Sequence, residues 1–446
     1  MGNTKPNLSL KQLWMLSFGF FGVQAAFSLQ SANTSRIFAT LGADPHDLSY
    51  FWILPPLMGM IVQPIVGSLS DKTWCRLGRR IPYLLVGTII AVAVMCLFPN
   101  AGSLGLTMGG AMIFGAASLM LLDTSLNMGM QPFKMMVGDM VNEKQKAKAF
   151  SIQSFLCNAG AVLGFLFPFI FALVGISSEA PEGEVPDSVK WSFYLGAALM
   201  VLCVMLTVLK VKEMPPKEYA EYHGIDTSKP KEKSSNNVFT LLKNAPKTFW
   251  TVGLVQFFCW AAFMYMWTYN PAAVADTAFG VDCSAADYAK MRDYQKAADW
   301  GGVLMGVQSI GAVLWALVIP KFRRLKVAYS TSLLIGALGF VSVFFIHNQY
   351  LLILSYLMIG VAWAAMLALP FTLFTNSLSG DHLGTYMGLF NCAICLPQIV
   401  AALCGGAILK LVGGVQVNMF VVAGVLLVLG ALAVKLVEDK TEQKTA

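Results

Sequence analysis

Apolar runs of bilayer length recur along the whole 446-residue chain, separated by short polar stretches that carry most of its charge. A helix needs about 20 apolar residues to cross the hydrocarbon of a membrane. The pattern predicts twelve such helices. Six lie near 13–42, 48–70, 81–100, 105–137, 147–176 and 190–210. Six more lie near 246–274, 299–320, 327–346, 350–378, 384–413 and 417–438. Several runs exceed the minimum, which predicts tilts or kinks. Pro64, Pro132, Pro168, Pro370 and Pro397 fall inside spans, where neighbouring helices can satisfy the carbonyls that proline frees. The alternating short segments of an outer-membrane barrel are absent from the pattern. The fold class expected is an all-α membrane protein with twelve transmembrane helices.

Two polar breaks are longer than the rest. Residues 211–245 include VKEMPPKEYAEYHGIDTSKPKEKSSNN, charged, rich in Pro and Ser and poor in apolar residues, the composition of a linker. It separates a first bundle, 1–210, from a second, 246–446, with six spans in each. Two pseudo-symmetric six-helix bundles around a midplane cavity resemble the major facilitator arrangement. The second break, Ala275 to Asp299, is read as a solvated loop, with short amphipathic helices over the mouth as the alternative.

Composition agrees: 57% of residues are hydrophobic and 12% charged, where a soluble domain carries about twice that charged fraction. Of the 31 Lys and Arg, Arg36, Lys190, Lys290, Arg292, Lys296 and Lys410 fall on one side and Lys134 inside a span. The others share the side of both termini. The positive-inside rule makes that side cytoplasmic, in a plasma or inner membrane. The net charge of +7 therefore reports topology, and no base-reading motif points to nucleic acid. The first apolar run follows Lys11 without a convincing cleavage site, and span parity requires it, so it is expected to be retained. The nine cysteines are scattered; Cys392 and Cys395 have thioredoxin-like spacing but sit in an apolar helix, and Cys283 is the one clearly outside. No structural disulfide is expected.

Charge inside the fourth span needs a reason. In MLLDTSLNMGMQPFKMMVGD, Asp123, Asn127, Gln131 and Lys134 fall within about 80° of arc on a helix. Leu122, Leu126, Met128, Phe133 and Met136 occupy the other faces. Asp123 and Lys134 are about 16 Å apart along the axis, too far to pair directly. An intramembrane charge costs at least about 2.5 kcal/mol, so the stripe should face a watered cavity. Asp123 suits proton carriage, sugar binding through its oxygens, or both, which would couple the two. A structural polar network between helices is the alternative. Lys134 can snorkel as a helix-end anchor or pair with an acid on another helix.

The loop GSLSDKTWCRLGRRIP, Gly67 to Pro82, joins the second and third spans. Asp71 can accept from Arg79 or Arg80, and with Arg76, Lys134 and Asp139 these form a candidate gate that latches the two halves at the inner face. Here the chain resembles a family. VQPIVGSLSDKTWCRLGRRIP is similar to the corresponding loop of sucrose-transporter-type sugar–proton symporters, in the glycoside–pentoside–hexuronide branch of the major facilitators. GFFGVQAAFSLQ resembles their first helix and LLDTSLNMGMQPFKMMVGDMV their fourth, ALPFTLFTNSLSG their tenth and GLFNCAICLPQIVAAL their eleventh. Lys134 stands where members usually have Arg, and only Asn127 remains of an Asn pair. The resemblance implies a secondary transporter of glucosides, with sucrose or maltose as typical cargo, coupled to protons.

Sugar sites combine hydrogen-bonding groups with an aromatic face. Candidates are Gln24, Gln30, Asn33, Thr34 and Arg36 on helix one, Gln153 and Asn158 on helix five, and Gln308 on helix eight. Helix seven offers Trp260, Tyr265, Trp267, Tyr269 and Asn270, of which Trp267 and Tyr269 also suit an interfacial belt. Trp363, Asn376, Asn391 and Gln398 follow on helices ten and eleven. No phosphate loop, zinc motif or hydrolytic triad is visible, and His46, His223, His347 and His382 lie in loops or span ends. No enzyme activity, cofactor or metal is expected. The leading expectation is a monomeric proton-coupled symporter of a glucoside disaccharide, with the sugar, the proton and the bilayer as its partners. A sodium-coupled glycoside or lipid transporter of the same branch is the runner-up. A non-transporting sugar sensor would need larger tails.

Overall fold

The computed structural model describes residues 5–179, 183–222, 243, 245–283, 287–377 and 383–438. The first set of long helices is α1 Leu10–Thr40, α2 Leu54–Lys72, α3 Ile81–Leu97, α4 Met108–Met140, α5 Glu143–Leu173 and α6 Asp187–Lys210. The second is α7 Lys247–Phe279, α8 Arg292–Ala316, α9 Leu325–Phe345, α10 Leu352–Ser377, α11 Leu383–Leu411 and α12 Asn418–Ala433. Each set lies in helices long and apolar enough to cross a membrane, twelve in total among the described residues. No strand occurs among those residues, only one bridge between Cys75 and Gly78.

Side chains set several of the boundaries. Ser9 Oγ accepts from Gln12 N–H at 3.3 Å while Gln12 Oε1 accepts from Ser9 N–H at 2.8 Å, a capping box that starts α1. Thr107 caps α4 and Asn142 caps α5, so only Val141 and Asn142 separate those helices. Gly280, at φ 67°, ends α7 in the left-handed conformation that glycine adopts without strain.

The packing has an internal repeat. In the first set α1 packs on α5 and α6, α4 on α2 and α3, and α3 on α6. The same pairs recur six helices later: α7 with α11 and α12, α10 with α8 and α9, and α9 with α12. The two sets meet through α5 with α8 and, by the same symmetry, α11 with α2. Glycines allow the closest approaches. Gly160 and Gly164 of α5 lie directly against the backbone carbonyls of Phe21 and Ala25 of α1, where a Cβ has no room.

Two expectations change here. The segment from Ala275 to Asp299 is not a solvated loop: α7 and α8 absorb both ends of it. Between them Val281, Cys283, Tyr288 and Ala289 are buried. Tyr288 packs edge-on against Tyr294 at 5.1 Å, and its hydroxyl accepts from Gln416 Nε2 at 3.3 Å. Burial pushes the Cys283 thiol up to about 12. The stretch after α6 also carries a short helix at Pro216–Tyr222. Residues 223–242 and 378–382, with His223 and His382, lie outside the described residues, as does the side chain of Asn376.

Candidate functional site

The face of the molecule where α1 begins and α12 ends is called the near face, and the opposite one the far face. The stripe on α4 is assembled as its spacing predicts, but its burial is graded. Asp123 is fully buried and Asn127 is 4% exposed, while Gln131 is half-buried and Lys134 exposed. Lys134 lies within electrostatic range of Cys157 on α5 and Cys395 on α11, which puts it between the two sets of helices rather than in lipid. Exposure thus increases along one face of α4 towards the near face. Asp123 does not itself line open space, as the sequence had implied.

The Asp123 side chain has one partner among the described residues. Its Oδ2 accepts from Gln30 Nε2 on α1 at 2.9 Å. Its Oδ1 and the Gln30 Oε1 are buried with no hydrogen-bond partner among the described residues. Two unpartnered acceptors at one buried place leave room for a donor, because such groups otherwise cost about 1–3 kcal/mol each. Asn127 donates to the Asp123 carbonyl at 2.9 Å, and its Oδ1 accepts from Gln63 Nε2 of α2 at 2.7 Å. Gln63 had no signal in sequence beyond its polarity within an apolar helix.

The other polar candidates divide. Gln24 is half-buried on α1, on the face it shares with Phe27 and Ser31. Asn33 donates to Leu29 O of its own helix at 2.8 Å, and Thr34 to Gln30 O at 2.8 Å. Gln153 donates to Phe133 O at 2.9 Å, beside the Pro132 break, and so joins α5 to α4. Asn158 donates to Ser154 O and Gln398 to Ile394 O within their own helices. Asn391 is half-buried and reaches only the Cys395 sulfur, at 4.0 Å. Gln308 is buried on α8. Asn270 is bonded by the Tyr356 hydroxyl within the second set.

An aromatic group closes the far end of this region. Trp267 packs against Trp260, Phe263 and Trp363 of its own half, at 5.8–6.4 Å between centroids. It also stacks on Trp52 from the first half at 6.3 Å and 19°. Trp267 is therefore central rather than an interfacial belt residue, and Tyr269 is completely buried. Trp260 is 7% exposed, and its Nε1–H has no partner among the described residues.

The inner-loop acids and bases form a network, and its bonds among the described residues run within one half and the stretch just after it rather than latching the two. Arg80 donates to Asp71 Oδ1 at 2.7 Å, to Asp139 Oδ2 at 3.0 Å and to Ser70 Oγ. Arg79 donates to Asp139 Oδ2 at 3.0 Å and to the Tyr219 hydroxyl at 2.9 Å. The Arg79 guanidinium also sits over the Tyr219 ring at 4.0 Å. Glu213 accepts from the backbone N–H groups of Arg79, Arg80 and Ile81 at 2.7–2.9 Å, at the N-terminus of α3, where a carboxylate is favoured. All these residues belong to the first half or the stretch just after it. They tie α2, α3 and α4 to one another. Arg76 is exposed and outside these bonds.

Among the described residues the ion pairs that join the halves are at the far face, Arg292 with Glu179 at 3.6 Å and, buried, Arg36 with Asp299. Arg36, fully buried at the end of α1, donates from Nη1 to Asp299 Oδ1 of α8 at 2.6 Å and from Nε to Gln295 Oε1 at 2.5 Å. Ser178 Oγ donates to the other Asp299 oxygen at 3.0 Å. Beside this pair a cavity of about 460 Å³ lies between the halves on the far face, walled by Phe169 and Trp300 and rimmed by Arg292 and Lys296.

Twelve helices in two repeated sets, meeting symmetrically around a buried polar stripe, define a major facilitator transporter. The family model described as MFS/sugar transport protein matches residues 37–418, and the chain belongs to that family. It is a sugar transporter, not an enzyme. It is similar to the sucrose transport protein SUT1 of Oryza sativa subsp. japonica, 23% identical with 96% of this chain and 88% of that protein covered. It is also similar to the sucrose transport protein SUC4 of Arabidopsis thaliana, 21% identical with 88% and 83% covered. Among solved structures, the nucleoside transporter NupG shares the fold, with a TM-score of 0.66 at 16% identity and 95% of this chain and 98% of that one covered. So does a bacterial homologue of the human lysosomal transporter Spinster, with a TM-score of 0.63 at 15% identity and 96% and 97% covered.

Proposed function

We propose that this protein is a proton-coupled symporter of a glucoside disaccharide of the sucrose or maltose type, working by alternating access. The observation that carries this reading is the buried carboxylate of Asp123, with one oxygen on Gln30 and the other unpartnered. A proton on Asp123 turns an orphaned acceptor into a donor, which the free Gln30 oxygen or a sugar hydroxyl can accept. Neutral Asp123 has a small desolvation cost and lets the loaded carrier reorient; ionised Asp123 in a closed site is costly and opposes slippage. The similarity to sucrose transport proteins supports the cargo class.

The sugar sits between the α4 stripe and the aromatic group of the second half. Gln24, Gln30, Asn127, Gln131 and Gln63 supply polar contacts, and Trp260 and Trp267 an aromatic face. Asn391 and Gln398 approach from α11. Asn33, Gln153 and Asn158 hold backbone carbonyls and take a supporting part. Residues 1–210 and 246–446 are the moving halves, with 211–245 joining them. The near face, which carries most Lys and Arg, is cytoplasmic, and the protein acts as a monomer in a plasma or inner membrane.

The test is uptake of labelled sucrose and maltose into proteoliposomes, with proton and sodium gradients imposed separately. Concentrative uptake driven by the proton gradient alone is expected. Uptake driven only by sodium would transfer the coupling to that ion, and absence of disaccharide uptake under either gradient would reject the cargo.

A further inference from the structure

The far-face ion pair has the geometry of a moving part. Arg36 is 0% exposed and Asp299 4%. All three guanidinium nitrogens are used, the third donating to Gln295 O at 3.1 Å. Both oxygens of Asp299 are used as well, and Gln295 Nε2 donates back to Thr40 Oγ1 of α1 at 3.2 Å. Each of these links joins one half of the protein to the other. Nearby backbones touch across the same seam: Gly302 of α8 lies against the Phe165 carbonyl of α5, and Gly406 of α11 against the His46 carbonyl.

A buried ion pair is a weak way to stabilise a seam, because apolar side chains of similar volume do as well or better. It has one property they lack. When the halves separate, water reaches both charges and restores the solvation lost on burial, so the paired and parted states lie close in free energy. The near-face acid–base bonds among the described residues do not cross the seam. Asp71, Arg79, Arg80, Asp139 and Glu213 lie within the first half and its trailing segment, and they travel together when the halves move.

We infer that Arg36, Gln295 and Asp299 form the far-face gate, whose making and breaking sets the face to which the sugar site opens. They are positioning residues: they touch each other across the seam and act on the site through the angle between the halves. The inference rests on the alternating-access reading and is independent of the cargo and the coupling ion.

Removing one partner alone leaves an uncompensated buried charge and invites misfolding, so the informative variant neutralises both: Arg36→Gln with Asp299→Asn. The full-length protein in nanodiscs is followed by hydrogen exchange of the amides in 29–41 and 292–304 at the far face and in 131–140 at the near face. The double variant should exchange about tenfold faster at the far face, the equivalent of one decade in the gate equilibrium, and more slowly than the parent at the near face. The charge-swapped protein, Arg36→Asp with Asp299→Arg, should return both faces towards the parent values. A purely structural role predicts faster exchange at both faces, and that result overturns the inference, as does an unchanged pattern. A parent protein that fails to take up any disaccharide but shows the opposed exchange changes would reject the cargo and keep the gate.

Discussion

Asp123 is fully buried and yet holds only one hydrogen bond through its side chain among the described residues. Asp123→Asn fixes the uncharged form permanently. Under an imposed proton gradient the variant should lose concentrative uptake, while exchange of labelled for unlabelled sugar survives, because the amide still donates and accepts. A variant that concentrates sugar as the parent does would return Asp123 to a structural network. Trp260 allows a finer test. Trp260→Ala should weaken sugar affinity about tenfold by removing the ring face and its N–H. Trp260→Phe keeps the ring, so binding titrations that show the same loss in both variants assign the effect to the unpartnered N–H. Tyr269→Ala should instead leave affinity unchanged and lower stability by about 3–5 kcal/mol, the range for emptying a fully buried aromatic site. Equal small losses of affinity from Trp260→Ala and Tyr269→Ala would reduce helix α7 to packing.

At the scale of elements, the informative join is Glu213 on the N-terminus of α3. One carboxylate serves three backbone N–H groups that the helix cannot satisfy itself. Glu213→Ala should lower stability by about 1–3 kcal/mol, read as a lower thermal midpoint of the reconstituted protein, with Glu213→Gln intermediate because an amide oxygen still accepts. The same thermal midpoint for the Ala variant and the parent would contradict this role. The Tyr219 hydroxyl belongs to the same join. Burial, and then the charge of Asp139, hold its ionisation above the ordinary tyrosine value, so it acts as a neutral hydroxyl at physiological pH. Asp71→Asn weakens the Arg80 end of this network and should lower the same thermal midpoint while sugar affinity and turnover stay near those of the parent.

At the scale of the whole molecule, the described residues between α7 and α8 pack into the far face, with Val281, Cys283, Tyr288 and Ala289 buried. The Cys283 thiol is pushed up to about 12. Thiolate is the reactive form, and a raised value leaves less of it at any pH below that value. Alkylation of the intact protein at neutral pH should therefore modify the exposed Cys75 of the near-face loop and leave Cys283 unmodified, as peptide mass spectrometry would read. Prompt modification of Cys283 would mean that this buried site opens freely in the membrane.

The twelve spans were legible in the chain, and a linker and a polar stripe on α4 could be read from it, because each depends on residues near one another. Apolar length, a composition shift and the 3.6-residue period are local properties. The resemblance in the Gly67–Pro82 loop was local too. The partners of those residues were not legible. Arg36 and Asp299 are 263 positions apart, and each alone looks like a charge at a membrane edge. Glu213 reaches back more than 130 positions to α3, from a stretch whose composition reads as linker. Trp267 has the composition of a belt residue, and only the meeting of the halves makes it central. The placement of Asp71, Arg79 and Arg80 within one half was equally invisible, since a loop sequence does not say which body its charges will face. Hydrophobicity along the chain decided how many helices cross and where; backbone contact at glycines and the need to pair buried charge decided which faces meet.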